Sequence, residues 1–265
     1  MLVVENLTKK FKSGLFKTTT VQAVNDVSFT LRPGEAFGLI GNSGSGKSTL
    51  ARLLVRLLEP SAGRVIYQGT DLTALPLNRF QPYRQKIQLI FQQPTLALNP
   101  RRTVWESLTE PWFRHGLVKT REQARAKAAD LMALTNLSEE VLERYPRQIS
   151  GGQAQRVIIA RSLGMEPEII IADEPTSMLD VSVQAQILRL LKVLQQERGI
   201  SILLISHDPS VIKSCCDRVA LIQAGQIVAV GEPSTVLAKS NKQWQLSPGP
   251  GLIQPRPSLV PQTIS

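Results

Sequence analysis

The sequence GNSGSGKST at residues 41–49 lies between a predicted buried strand, residues 35–40, and a series of leucines at helical spacing. It satisfies the pattern G-x-x-x-x-G-K-[ST] in the strand-to-helix context that this pattern requires. Glycines let a backbone approach a phosphate closely, and consecutive N–H groups at a helix start supply fixed positive potential. We therefore expect a phosphate-binding loop made of Gly41, Asn42, Ser43, Gly44, Ser45, Gly46, Lys47, Ser48 and Thr49.

Two members of this loop carry specific chemistry. Lys47 is placed to reach the β- and γ-phosphates of a nucleoside triphosphate, and the Ser48 hydroxyl is placed to bind Mg²⁺. By itself the loop indicates only that the chain binds a nucleoside triphosphate, because kinases, GTPases and recombinases share it. The alternative, a chance glycine-rich turn, is disfavoured by the flanking strand and helix.

Two carboxylates end a second apolar stretch. Residues 169–172 read Ile-Ile-Ile-Ala, and Asp173 and Glu174 follow directly. Ligands of parallel α/β sheets bind at the carboxyl ends of the strands. Asp173 is therefore placed to hold Mg²⁺ and Glu174 to polarise an attacking water. The alternative is a strand that ends in solvent-facing acids.

Three weaker signals lie elsewhere. The sequence SGGQ at residues 150–153 opens a predicted helix, as either an anion site or a plain N-cap. His207 ends an apolar strand, residues 200–206, at the same predicted sheet edge as the two carboxylates, although a lone histidine is more often structural. Gln92 follows the apolar residues 87–91, where an ordinary polar strand end is the alternative.

Apolar strands alternate with amphipathic helices along most of the chain, which is typical of a parallel sheet with helices on both faces. The leucine series after the loop predicts a helix that ends at Pro60, and residues 94–147 predict a mostly helical insertion. Residues 12–20 predict a polar loop. From residue 239 the chain has five prolines and no acidic residue, which predicts a tail that is disordered or lies on the surface.

Composition narrows the class of protein. With 42% hydrophobic and 20% charged residues among 265, the chain is globular rather than disordered, collagen-like or coiled-coil. The net charge of +10 favours nucleic acid, a membrane surface or a phosphate ligand, with scattered solvated cations as the alternative. Cys215 and Cys216 are adjacent, so we expect no disulfide, no zinc site and a reducing compartment. We expect neither a signal peptide nor a membrane-spanning segment.

The order of these motifs resembles that of the ATP-binding-cassette ATPases, over residues 2–238. The resemblance implies a P-loop NTPase of the α/β class, with a RecA-like, mostly parallel sheet and helices on both faces. It also implies an N-terminal antiparallel β-subdomain and a helical subdomain inserted at about residues 94–164. The ATPase domain would then be residues 1–238, with residues 239–265 as the tail. The implied cofactors are ATP and Mg²⁺.

The resemblance assigns roles to individual residues. Residues 41–49 would be the Walker A loop. Phe11 would stack on adenine, with a core or hairpin aromatic as the alternative. The other implied sets are the catalytic residues Glu174, His207 and Gln92, the Mg²⁺ ligands Ser48, Gln92 and Asp173, and the nucleotide-binding signature Ser150, Gly151, Gly152 and Gln153. Two departures from the family pattern are Ile149, in place of the usual Leu, and Met178, in place of Ala in the D-loop at residues 177–180.

Finer resemblance points to importers of oligopeptides, dipeptides and nickel. It rests on FQQPTLALNPRRTV at residues 91–104 and on residues 145–156 and 180–187. The sequence Leu-Asn-Pro-Arg at residues 98–101 is similar to that found in the second of the two ATPase subunits in those systems. This implies a peripheral subunit at the cytoplasmic face of the membrane that energises uptake of peptides or nickel chelates.

The implied partners are transmembrane permease subunits, a second cassette that is paralogous rather than identical, and indirectly an external substrate-binding protein. The alternatives are a soluble cassette ATPase acting on nucleic acid or protein assembly, and a non-hydrolysing regulatory cassette. A single copy of the motifs, the lack of heptads and the presence of Glu174 favour transport, so no nucleic-acid partner is expected.

Overall fold

Six strands form the central sheet of the computed structural model, which describes residues 1–13, 19–177 and 179–244. Their order across the sheet is Gln226–Gly231 (β10), Arg218–Gln223 (β9), Ala36–Ile40 (β3), Ser201–Ser206 (β8), Ile169–Asp173 (β7) and Ile87–Ile90 (β6). All neighbouring pairs are parallel except β9 and β10, which form the predicted hairpin. Because β3, β7 and β8 are buried along their whole length, they read as continuous apolar runs.

A second, antiparallel sheet covers one face of the first. Its strand order is Thr19–Leu31 (β2), Leu2–Ser13 (β1), Ala62–Tyr67 (β4) and Thr70–Asp71 (β5). A core cluster shared by both sheets contains Ile169 and Ile171, whereas Ile170 and Ala172 belong to the core on the opposite face. This alternation is the two-residue period of a strand. The two sheets confirm the α/β class and the N-terminal antiparallel sheet.

Helices follow most strands of the central sheet. The α-helices in the described residues are Lys47–Leu54 (α1), Leu77–Lys86 (α2), Pro94–Ala97 (α3), Val104–Arg114 (α4), Arg121–Leu134 (α5), Gly151–Leu163 (α6), Val181–Arg198 (α7), Pro209–Cys215 (α8) and Pro233–Trp244 (α9). Helices α3 to α6 succeed one another without an intervening strand. None of these helices combines the length and apolar character needed to cross a bilayer.

Three predictions about local structure need correction. Helix α1 ends at Leu54 rather than at Pro60, because Arg56 has a positive φ of 51° and its buried guanidinium donates to the Leu72 carbonyl. Helix α9 extends to Trp244 and so includes the start of the predicted tail, while residues 245–265 lie outside the described residues. Strands β1 and β2 take up the ends of the predicted polar loop, whose residues 14–18 are not described.

Candidate active site

The carboxyl ends of three parallel strands bring the main sequence motifs to one edge of the central sheet. Gly41 follows β3, Glu174 follows β7, and His207 follows β8. Because β3 pairs with β8 and β8 with β7, all in parallel, these residues leave the sheet on the same side. The site is thus assembled at the edge where parallel sheets bind their ligands.

The glycine-rich loop between β3 and α1 is packed against backbone on two sides. Gly46 precedes α1 in a left-handed conformation with φ of 102°, and a Cβ there would lie 2.2 Å from the Ala23 carbonyl oxygen. A Cβ on Gly41 would lie 2.3 Å from the carbonyl oxygen of Ile222. Since a backbone carbonyl cannot move aside as a flexible side chain can, both positions require glycine.

The turn between β9 and β10 holds this loop in place. The Gly225 N–H donates to the Ser45 carbonyl oxygen at 3.0 Å, and the Gly225 carbonyl accepts from the Asn25 N–H at 2.8 Å. The turn therefore connects the loop to β2. These contacts join segments about 180 to 200 residues apart in the chain, and sequence patterns contain no local signal for them.

Lys47, the first residue of α1, is directed back into its own loop. Its Nζ donates to the carbonyl oxygens of Gly41 and Asn42, each at 2.8 Å. Burial lowers the pKa of Lys47, while the nearby carboxylates of Glu174 and Asp173 act in the opposite direction. An ammonium held by carbonyl oxygens beside a helix start is suited to a strongly anionic ligand.

Asp173 and Ser48 form a pair of oxygen groups beside Lys47. The Ser48 hydroxyl donates to Oδ1 of Asp173 at 3.2 Å. Burial raises the pKa of the Asp173 carboxyl, and the Ser48 hydrogen bond partly offsets this. A buried carboxylate next to a hydroxyl provides the hard oxygen ligands that Mg²⁺ prefers, so these residues fit the implied metal.

Glu174 accepts contacts from both of the other predicted catalytic residues. Its Oε2 accepts from Gln92 Nε2 at 2.9 Å, and its Oε1 lies 3.2 Å from His207 Nδ1. The Glu174 backbone has a positive φ of 47° and its N–H donates to the Ile205 carbonyl at 3.0 Å. For a non-glycine residue this is an uncommon conformation, and it turns the chain away from the sheet at the point where the carboxylate is presented.

A cleft of about 250 Å³ opens over the loop. Its walls include Ala23, Lys47, Gln92 and Glu174. A neighbouring cleft contains Ser48, Gln92 and Asp173 together with Arg52, a residue that the sequence analysis did not single out. The sequence contains a signal that could have identified Arg52: it lies four residues after Ser48 and therefore on the same face of the helix.

The predicted signature is not part of either cleft. Ser150 caps α6, its Oγ accepting from the Gln153 N–H at 3.2 Å, while the Gln153 Oε1 accepts from the Ser150 N–H at 3.0 Å. Among the described residues that line the two clefts, none belongs to residues 150–153. Within one chain the signature therefore lines neither of the two clefts beside the loop.

Phe11 lies on β1 opposite Val21 of β2. The residue is 38% exposed and belongs to neither core cluster, and the Lys9 Nζ lies 5.2 Å from the ring centroid. An accessible aromatic face near a cation can stack on a planar ring. Met178, the departure noted in the D-loop, lies outside the described residues.

Comparison with known proteins places the chain in one family. It matches the ABC transporter family over residues 24–177. It is 47% identical over 243 residues to the probable peptide ABC transporter ATP-binding protein y4tS of Sinorhizobium fredii, which covers 90% of this chain and 69% of that protein. Identity is 45% over 236 residues to the putative oligopeptide transport ATP-binding protein YkfD of Bacillus subtilis, covering 89% and 71%. The chain is 46% identical over 235 residues to the glutathione import ATP-binding protein GsiA of Salmonella typhimurium, and this match covers 87% of the chain and 38% of that protein.

Solved structures agree with this placement. The ATP-binding cassette MJ0796, in a dimeric post-hydrolysis state bound to ADP and Pi, matches with a TM-score of 0.80 and 31% identity, over 88% of this chain and 99% of that one. The cassette cbiO1 from Clostridium perfringens, part of the ABC transporter complex cbiONQ, matches with a TM-score of 0.76 and 27% identity, over 92% and 93%.

The chain therefore belongs to the ABC transporter family and is one of its P-loop ATPases. ATP-binding proteins of this family hydrolyse ATP to power transport across a membrane. The resemblance inferred from the motifs is confirmed, and the relatives named above give no support to the nucleic-acid alternative.

Proposed function

We propose that this chain is the ATP-hydrolysing subunit of a peptide importer and works at the cytoplasmic face of a membrane permease. The observation that carries the peptide class is its identity of 47% and 45%, over about nine-tenths of the chain, to two relatives named for peptide and oligopeptide transport. A third relative is named for glutathione, which is itself a small peptide. Nickel chelates are the other cargo class suggested by the sequence.

The contacts of the site residues support the following roles in this proposal. The loop at residues 41–49 and Lys47 bind the triphosphate, because the open helix start and the ammonium supply the positive potential. Ser48, Asp173 and Gln92 would hold Mg²⁺, which would supply positive charge to offset the negative charge of the phosphates. Phe11 stacks on the base.

Glu174 orients the attacking water in this proposal. Its carboxylate is in contact with Gln92 on one side and His207 on the other. Gln92 precedes α3, at the start of the helical segment, so it is suited to connect that segment to the reacting phosphate. The His207 side chain is 60% exposed, which leaves it accessible to a ligand.

The remaining part of the nucleotide site is proposed to come from a second cassette. The signature, residues 150–153, lies outside both clefts of its own chain. A triphosphate needs donors on more than one side in a site from which water is excluded, so the signature of one subunit would complete the Walker A site of its partner. A paralogous cassette is favoured as that partner by the sequence Leu-Asn-Pro-Arg at residues 98–101. Residues 94–147, which contain helices α3 to α5, would contact the permease.

Purification of the assembled complex tests the transport function. The tagged full-length chain would be isolated from membranes of its source cell, and the co-purifying proteins would be identified. We expect a permease and a second cassette. After reconstitution in vesicles with the matching binding protein, short peptides should stimulate ATP hydrolysis and nickel chelates should not. Recovery of a soluble complex whose hydrolysis responds to DNA or RNA would contradict the proposal.

A further inference from the structure

The start of α6 lies against the start of α7. A Cβ placed on Gly152 would lie 2.7 Å from Cγ1 of Val183, 3.6 Å from its Cγ2 and 3.7 Å from its Cβ. Apolar carbons normally make contact at about 3.5–4.0 Å. The Val183 side chain therefore occupies the space that any side chain at residue 152 would need.

Val183 is held firmly in this position. Its N–H donates to Oδ1 of Asp180 at 3.0 Å, and the same oxygen accepts from the Ser182 hydroxyl at 2.7 Å. Asp180 is thus the N-cap of α7. Because valine is β-branched and has one strongly preferred rotamer in a helix, its methyl group cannot easily turn away from Gly152.

A second contact joins the two helices one turn further on. The Arg156 guanidinium of α6 donates to the side-chain oxygen of Gln186 in α7, and also to the Asn136 carbonyl at 2.8 Å. The helices are therefore joined at two levels. The Gly152–Val183 contact is the nearer of the two to Ser150, the N-cap of α6, and beside it a Cβ on Gly151 would lie at ordinary contact distance, 3.7 Å, from Cδ2 of Leu179.

We propose that Val183 is a positioning residue for ATP hydrolysis. By packing on Gly152, it sets the direction of the α6 start and so aims Ser150 and the first N–H groups of the helix at the ATP bound by the partner cassette. Residue 152 is then a glycine because Val183 of the same chain fills the space that a side chain at residue 152 would occupy. This inference rests on the proposed role of residues 150–153 in completing the partner's site.

The test is a pair of substitutions, made singly and together in the complete transporter. Gly152→Ala should lower kcat by about 100-fold, since its Cβ would displace the helix start by about 1 Å and misplacements of that size have such effects. Val183→Ala should lower kcat less, because it loosens the contact without a clash. The double variant should recover most of the activity lost in Gly152→Ala, because the two Cβ atoms would then lie 3.7 Å apart, at normal contact distance.

Gln186→Ala is the matched control, because it removes the other contact between the same helices. It should leave kcat unchanged. The ATP affinity of the isolated chain should be the same in every variant, since the change acts on the partner's site. If Gly152→Ala does not fold, Val183→Leu provides a second approach: it adds bulk against residue 152 from the other side and should lower kcat while Gly152 is retained.

Two results would overturn the inference: wild-type kcat in Gly152→Ala, or no recovery in the double variant. Ser150→Ala in the same complex separates this failure from failure of the proposed function. If Ser150→Ala abolishes turnover and the double variant shows no recovery, only the role of Val183 is wrong. If Ser150→Ala has no effect on turnover, the proposed role of the signature itself is wrong.

Discussion

Two glycine-rich helix starts in this chain differ in how their first N–H groups are satisfied. Helix α1 begins after the left-handed Gly46, and none of the described side chains caps it. Helix α6 begins with a complete capping box between Ser150 and Gln153. The first N–H groups of any helix lack partners within that helix. The α1 start can therefore bind an anion directly, whereas the α6 start is already partly satisfied and is suited to complete a site.

The same two regions differ in what supports them. Backbone carbonyls of Ala23 and Ile222 lie against the first loop, and the turn at Gly225 is hydrogen-bonded to it. Side chains lie against the second: Val183 against Gly152, and Leu179 at 3.7 Å from the position of a Cβ on Gly151. Backbone contacts from three segments make a rigid site that exists before the ligand arrives. The second region is supported by side chains of its own chain instead, so its geometry depends on how these side chains pack.

The largest effect is expected from a change confined to the first region. Glu174→Gln should lower hydrolysis in the complete transporter by about 10²-fold or more, because an amide cannot accept a proton from the attacking water. ATP affinity should be retained, since Lys47 and the loop are unchanged. Steady-state turnover and nucleotide titration measure the two quantities.

Glu168→Gln is the control for this prediction. Glu168 lies just before β7, at the opposite end of the strand from Glu174, and accepts a hydrogen bond from the Tyr67 hydroxyl. The same chemical change there should leave turnover near the wild-type value. Near-wild-type turnover in Glu174→Gln would contradict the assignment of the base.

The second-largest effect distinguishes the two helix starts, because Lys47 is expected to control ATP affinity and Ser150 to control turnover in the complex. Lys47→Ala should weaken ATP binding to the isolated chain by about 10- to 150-fold, the loss expected when a charged hydrogen-bond donor is removed. Ser150→Ala should leave that affinity unchanged and lower turnover only in the assembled complex. Titration of each isolated variant with a fluorescent ATP analogue makes the comparison. Equal loss of affinity in both variants would show that the two regions form one site within a single chain.

The smallest effect is on the stability of the chain without nucleotide or metal. Burial raises the pKa of Asp173 in the folded state. Below about pH 3.9, the usual aspartate pKa, the carboxyl is protonated in both states and burial costs nothing. As pH rises through the interval up to the raised pKa, the unfolded state releases its proton first, so the free energy of unfolding falls. Asp173→Asn should therefore raise Tm at pH 7, and the gain should vanish below about pH 3.9.

Asp180, which lies near the second region, is the matched control. Its replacement by asparagine should change Tm in the opposite direction. Hydrogen bonds from the Ser182 hydroxyl and the Val183 N–H lower its pKa. Its ionised form is therefore favoured by folding, and Asp180→Asn should lower Tm at pH 7, an effect that disappears as pH falls through the lowered pKa. Calorimetry of both variants in the presence of EDTA measures the pair. A gain in Tm for Asp180→Asn, or a loss for Asp173→Asn, would contradict this account.

Much of the first region was predictable from the sequence, because its residues follow strand ends. Buried strands appear as apolar runs, and the carboxyl ends of parallel strands meet at one edge. Asp173, Glu174 and His207 could therefore be expected close together. The contact between Gln92 and Glu174 was not predictable from either residue alone, since a glutamine at a strand end is common.

The sequence by itself determined the class of fold, the order of the motifs and the chemical groups at the sheet edge. Local sequence patterns indicate these features, because an apolar run marks a buried strand and the residues around a helix start mark where the helix begins. Only the tertiary structure decided which segments support the two helix starts. Ala23, Ile222 and Gly225 meet at the first loop, and Val183 meets Gly152, through packing between residues far apart in the chain. The same holds for the early end of α1, where the buried guanidinium of Arg56 binds carbonyls of a later segment and outweighs the local preference to continue the helix.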